Sequence, residues 1–206
     1  MHYNAAGVVD RWGSKWENFL FPVLILLFNL FWLWLMRVFE KKAQREQQEK
    51  DRQAAAANAR LLGWTALATT ALFTVLQAAI LLMAYRTAKE QAAAALDINS
   101  VSCVLTGLVM VVLGNLMPKS RRNGAFGLRT VWSMENDVTW AKSNRFGGAC
   151  IMAVGFASIL LGLLVKGLTV TLLMLGLLLA AVLVCIAYSH RVWKRYKDLP
   201  PEGEEA

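Results

Sequence analysis

The stretch VTLLMLGLLLAAVLVCIAY, residues 170–188, decides the fold. It holds no charged residue and does not alternate between apolar and polar positions. A helix rising 1.5 Å per residue needs about 20 apolar residues to cross the hydrocarbon core of a bilayer. A membrane barrel instead needs alternating segments of about ten residues. Lipid supplies no hydrogen-bond partners, so a non-alternating span satisfies its backbone internally, as a helix.

Four similar blocks precede this one. With it they give spans at 17–39, 61–85, 98–117, 146–165 and 168–189. Composition agrees, since 57% of the 206 residues are hydrophobic and the mean hydropathy is +0.43, more apolar than an ordinary soluble domain. The first block is too long for a cleaved signal peptide. It also lacks a basic leading region and a small-residue cleavage site, so it reads as a retained helix. The fold class is therefore all-α: a polytopic membrane bundle of five transmembrane helices.

The formal net charge of +8 raises nucleic acid as a partner, but the distribution of the cations points to a membrane. Alternate loops (37–60, 118–145 and the tail) hold seventeen Lys and Arg, against five in the others. By the positive-inside rule the rich side is cytoplasmic. The expected orientation is N-out and C-in, with membrane lipids as partners and no direct nucleic-acid contact.

The organisation follows. Residues 1–39 form an outer segment and the first span, and 40–60 a cytoplasmic helical loop rich in strong helix formers that turns back near Asn58. Residues 61–117 hold spans two and three, 118–145 a cytoplasmic loop, and 146–206 the last two spans and the tail. The outer stretch 87–97 also reads as helical. Gly148, Gly155 and Gly162, with Ala149, Ala153 and Ala157, give the fourth span small-residue faces for close helix packing, inside the bundle or in a dimer. The oligomeric state is left open.

No ionisable residue lies at mid-depth in a span, which argues against a proton-coupled pump. His2 and His190 fall on opposite sides of the membrane, and no hydrolase, zinc-protease or phosphate-loop motif occurs. The reading is not an enzyme, with no catalytic residue, no cofactor and no metal. Cys103, Cys150 and Cys185 lie in apolar blocks without a C-x-x-C pairing and read as buried thiols.

The information is concentrated in GNLMPKSRRNGAFGLRTVW, residues 114–132. Pro118 ends the third span. Lys119, Arg121 and Arg122 hold that end at the anionic face. Asn123-Gly124 is a turn signal. Ser133 reads as the N-cap of an interfacial helix over 134–145, with Glu135 and Asp137 in its first turn and Trp132 and Trp140 at headgroup depth. Arg129 has three candidate partners: Glu135 or Asp137, a lipid phosphate, or a protein.

Gly114, Asn115, Pro118, Lys119, Asn123, Gly127, Arg129, Thr130, Trp132, Trp140 and Arg145 stand in an order and spacing that resemble the signature of the SdpI family. Two positions depart from it: Val131 stands where the family usually has Pro, and Asn144 where it usually has His. The outer residues His2, Asn4, Gly7, Asp10 and Lys15 resemble a segment that follows an additional first helix in longer members. The resemblance implies a membrane immunity protein that protects against a secreted peptide toxin and captures a cytoplasmic regulator. The alternative is a small transporter or permeation pathway for a peptide or lipid-like substrate, lined by Asn29, Gln77 and Asn115.

Overall fold

The computed structural model describes residues 2–3, 9–11, 13–45, 48–90 and 97–198. Its helices are α1 (Leu20–Arg45), α2 (Glu49–Glu90), α3 (Ile98–Leu116), α4 (Asp137–Leu164) and α5 (Leu168–Tyr196). All five are long and apolar enough to cross a membrane, and the chain is a multi-pass membrane protein. Each contains most or all of one apolar block read from the sequence. Two short strands, β1 (His2–Tyr3) and β2 (Val9–Arg11), pair antiparallel with His2 opposite Arg11; hydropathy carried no sign of them. Asp10 lies in β2, and Lys15 opens a 3₁₀ turn capped by Ser14. Asn4 and Gly7 lie outside the described residues.

The reversal after the first span comes earlier than the sequence placed it. Helix α1 ends at Arg45 and α2 starts at Glu49, so Asn58 sits inside α2. Glu49 holds that start, pairing with Arg52 and accepting from Gln53 Nε2 at 2.8 Å. The alanines at 54–57 then favour helix. Asn58, a weak helix former, is kept by tertiary structure: it is buried, and its Oδ1 accepts from the Arg121 backbone N–H at 3.1 Å. Helix α2 has 42 residues, so at 1.5 Å each it is ~63 Å long, roughly twice the hydrocarbon core. It ends at Glu90, and 91–96 of the expected outer helix lie outside the described residues.

Helices α3 and α4 form the closest pair. A Cβ on Gly107 would lie 2.6 Å from the Gly155 carbonyl oxygen, and one on Gly114 would lie 2.6 Å from that of Gly148. One heptad further along, a Cβ on Gly162 would meet the Ser100 carbonyl at 2.9 Å. The glycines thus mesh backbone to backbone in an antiparallel register. This settles their role as packing inside the bundle, whereas Ala149 and Ala153 face outward. The Cys103 thiol donates to the Ser158 carbonyl across the same seam at 3.2 Å.

Elsewhere, polar side chains join helices. Thr70 Oγ1 donates to Asn29 Oδ1 at 2.6 Å, and Gln77 Nε2 to the Asn18 carbonyl at 3.4 Å, both between the first two spans. Asn115 is exposed on α3.

At the opposite end of the bundle from the signature loop, Asp97 ties α3 to the α4–α5 turn. It caps α3 by accepting from Asn99 N at 3.0 Å, receives Ser100 Oγ at 2.8 Å, and accepts from the Gly167 backbone N–H. Gly167 has φ +69°, a conformation that suits glycine. Burial works against the charged carboxylate, but the Gly167, Ser100 and Asn99 hydrogen bonds outweigh it and hold the carboxyl below the usual range. Its stabilising contribution is therefore full above the unfolded value of about 3.9 and lost as pH falls through the lower folded one.

Gly155→Leu should force the seam apart and lower the melting temperature in detergent strongly, since overpacking costs about 1–3 kcal/mol or more. Gly176→Ala, where a Cβ meets nothing within 4 Å, should melt like wild type or higher. For the Asp97 clasp, Asp97→Asn should melt lower than wild type near neutrality, and the gap should shrink as the pH is taken below about 4. A gap that stays constant would deny the carboxylate its role.

Candidate functional site

The loop between α3 and α4 is folded, and each turn in it has an identifiable cause. Helix α3 passes into a 3₁₀ turn, Met117–Lys119, with Pro118 in its first positions. Pro118 packs on Gly148, where a Cβ would lie 3.0 Å from the proline Cδ. Ser120 is buried, and its Oγ donates to the Met117 carbonyl at 2.8 Å. Asn123 closes the next turn, its Oδ1 accepting from Ala125 N at 2.7 Å and Phe126 N at 2.8 Å.

The loop is pinned at its centre by α4. Asn144 is fully buried. Its Oδ1 accepts from Leu128 N at 2.7 Å, while its Nδ2 donates to the Trp140 carbonyl at 3.1 Å. Gly127, at φ +114°, passes so close that a Cβ would collide with Asn144 Oδ1 and come within 3.1 Å of the Trp140 ring. At this position only glycine fits. Trp140 is 2% exposed, and its Nε1 donates to the Ser120 carbonyl at 2.9 Å. It is therefore the core of the loop and not a headgroup anchor as the sequence implied. Trp132 is half-buried against His190 of α5, with ring centroids 4.7 Å apart.

The helix start is also corrected. Asn136 is the N-cap of α4: its Oδ1 accepts from Thr139 N at 2.9 Å, and Thr139 Oγ1 accepts from Asn136 N at 3.1 Å. Ser133 has another task. It is buried, accepts from Thr130 N at 2.9 Å and donates to the Leu128 carbonyl at 2.7 Å, closing the preceding turn. No separate interfacial helix forms over 134–145, because residues from 137 onward are the first turns of α4 itself.

Besides the Trp132–His190 contact, two hydrogen bonds fasten the loop to α5. Thr130 Oγ1 and Ser189 Oγ are 2.6 Å apart, and Asn136 Nδ2 donates to the Tyr196 carbonyl at 2.9 Å. With Asn58 holding Arg121, the loop joins α2, α3, α4 and α5. Sequence reasoning missed Ser120, Asn136 and Ser189, and it read Asn58 as a turn residue. Only Asn136, three residues before Thr139, carried a visible signal.

The cations divide unexpectedly. Arg122, not Arg129, meets the start of α4: its Nε lies 3.3 Å from Asp137 Oδ1, and its guanidinium donates to the Glu135 carbonyl at 2.8 Å. Arg129 is exposed and forms no ion pair or side-chain hydrogen bond among the described residues. Lys119 and Arg145 are also exposed. Val131, where the resemblance led one to expect Pro, is 84% exposed.

Two hollows flank the loop. A polar cleft of about 650 Å³ lies between α2 (Asp51, Ala54, Ala57), the 118–122 stretch and the start of α4 at Asp137 and Ala141. An apolar cavity of about 290 Å³ lies beneath Phe126–Leu128, between α3, α4 and α5. Among the described residues, no group of three or more His, Cys, Asp or Glu side chains is placed to hold a metal.

Residues 119–189 match the SdpI/YfhL protein family. The chain thus resembles the SdpI family over the loop and the last two helices. Residues 1–26 match a domain of unknown function, DUF1648. A curated relative, the immunity protein SdpI of Bacillus subtilis (strain 168), is 28% identical over 89 residues. That match covers 43% of this chain and 42% of the relative, so the chain aligns with about two fifths of the relative's length. No solved structure matches.

Replacing Asn144 with Leu should strand the Leu128 N–H in a buried position at a cost of about 1–3 kcal/mol. The melting temperature in detergent should fall clearly, and loop cleavage by a protease should quicken. Arg122→Gln should cost less, since its ion pair is half exposed. Arg129→Gln should melt like wild type.

Proposed function

We propose that this protein is an immunity protein of the cytoplasmic membrane, oriented N-out and C-in, which protects the cell from a secreted peptide toxin. The observation that carries the reading is the match of residues 119–189 to the SdpI/YfhL family, together with the folded loop those residues build. In this reading the outer N-terminal segment, with His2, Asp10 and Lys15, meets the toxin.

The loop 118–136 then acts as the cytoplasmic reporter. It touches four helices, so a change in their packing is felt there. The cleft beside it is where a cytoplasmic regulator would be captured. Lys119, Arg121 and Arg122 line that cleft with Asp51 and Asp137, which gives a partner both signs of charge to read. Arg129, exposed and unengaged by the loop, is a second contact point. His2, Asp10, Lys119 and Arg129 are binding residues in this scheme, whereas Gly114, Pro118, Asn123, Gly127, Thr130, Trp132 and Trp140 shape the loop.

The test is survival of toxin-sensitive cells expressing the chain with a C-terminal green fluorescent protein. Fluorescence checks both level and orientation, because the tag lights only when the C-terminus is cytoplasmic. Wild type should protect, and Gly127→Val should lose protection at an equal membrane level. A fluorescent, well-inserted wild type that gives no protection against sporulation-delaying-type toxins would overturn the immunity reading. A dark but membrane-inserted fusion would overturn the orientation.

A further inference from the structure

The apolar cavity beneath Phe126–Leu128 is not used by the immunity reading. It is lined by Leu113 and Met117 of α3, Ile151 of α4, Val182 and Cys185 of α5, and Leu128 of the loop. Its walls are almost wholly hydrocarbon and sulfur. Water gains nothing in such a space, whereas an apolar cavity of about 150 Å³ already takes up a benzene-sized ligand. This one has about 290 Å³.

Its place in the membrane narrows the occupant. Ile151 lies fourteen residues into α4 and Cys185 eleven residues before the end of α5. Counted from the ends of the apolar spans at 146 and 189, these residues are five and four positions in, roughly 6–8 Å at 1.5 Å per residue, which sets the cavity at the upper acyl chains of the leaflet that faces the loop. The roof residue Leu128 is followed directly by Arg129, which is exposed and has no partner among the described residues. The same end of the bundle carries Lys119 and Arg121, both exposed. An exposed cation next in the chain to the roof residue, with hydrocarbon beneath that roof, matches an amphiphile with an anionic head.

We infer that this cavity binds an anionic phospholipid of the leaflet facing the signature loop, one acyl chain entering between α3, α4 and α5 beneath Leu128 and the phosphate resting on Arg129. The bound lipid is then part of the loop's floor. It supports Gly127 and Leu128 from below while Asn144 holds them from the side. The inference rests on the cavity and on the membrane assignment, and it holds whether or not the chain confers immunity.

Native mass spectrometry of the purified full chain, titrated with phosphatidylglycerol or phosphatidylcholine, tests the head. Wild type should retain phosphatidylglycerol several-fold more than phosphatidylcholine, and Arg129→Gln should lose most of that preference. The exposed position of Arg129 makes this variant safe for folding. Alkylation of Cys185 by a membrane-permeant maleimide, in a chain carrying Cys103→Ala and Cys150→Ala, tests the tail. Added phosphatidylglycerol should slow the reaction several-fold. Equal retention of the two lipids, an unchanged preference in Arg129→Gln, or a Cys185 rate indifferent to lipid would each overturn the proposal. So would a co-purifying peptide that protects Cys185 in lipid-free protein, since it would assign the cavity to a protein partner.

Discussion

The close approach of α3 and α4 is the constraint on which the rest depends. Within lipid there is little hydrophobic drive for helices to associate, so packing and hydrogen bonding must hold them. Gly107 on Gly155 and Gly114 on Gly148 bring two backbones into contact at two levels one heptad apart. That seam fixes where α3 ends relative to α4. Pro118 is then placed on Gly148, and the chain leaves α3 already against the helix it must return to. Had the seam been wider, Asn144 could not have reached Leu128.

The loop repeats the same logic with polar groups. Its backbone leaves the membrane end without regular structure, so its N–H and carbonyl groups need partners. Asn58, Asn123, Ser133, Asn136 and Asn144 supply them, each a short side chain that bonds backbone. Trp140 fills the centre and spends its one donor on Ser120. The charged residues of the loop, by contrast, stay at the surface, and among the described residues only Arg122 of the loop is engaged with a carboxylate.

The five spans were legible because a run such as 170–188 leaves helix as the single low-cost way to satisfy its backbone in lipid. The importance of the loop was legible too, through Pro118, Asn123-Gly124 and Gly127. What the sequence could not give was pairing between distant positions. Ser133 and Asn136 are both good caps with acidic residues nearby, and only the Ser133 bond to Leu128 decides between them. Asn58 looked like a turn residue because its partner, the Arg121 backbone, is 63 positions away. A carboxylate was among the candidate partners of Arg129, and Arg122 takes it, since spacing alone does not show which side of a loop a guanidinium faces. Trp140 looked interfacial by composition, yet its burial follows from Gly127, whose missing side chain makes the space.

Helix α1 packs on α2, and α2 on α3, so the front hairpin is coupled to the three-helix block through one rod. That rod is ~63 Å long by its residue count. At the end near the loop, the Asn58 side chain holds the Arg121 backbone by one hydrogen bond. A rigid rod gripped near one end is a lever with one long free arm. A tilt of about 5° at the Asn58 grip moves the far end of α2, 32 residues away, by about 4 Å. The molecule thus contains a mechanical linkage in which a single asparagine amide ties the long helix to the folded loop at one end of the bundle.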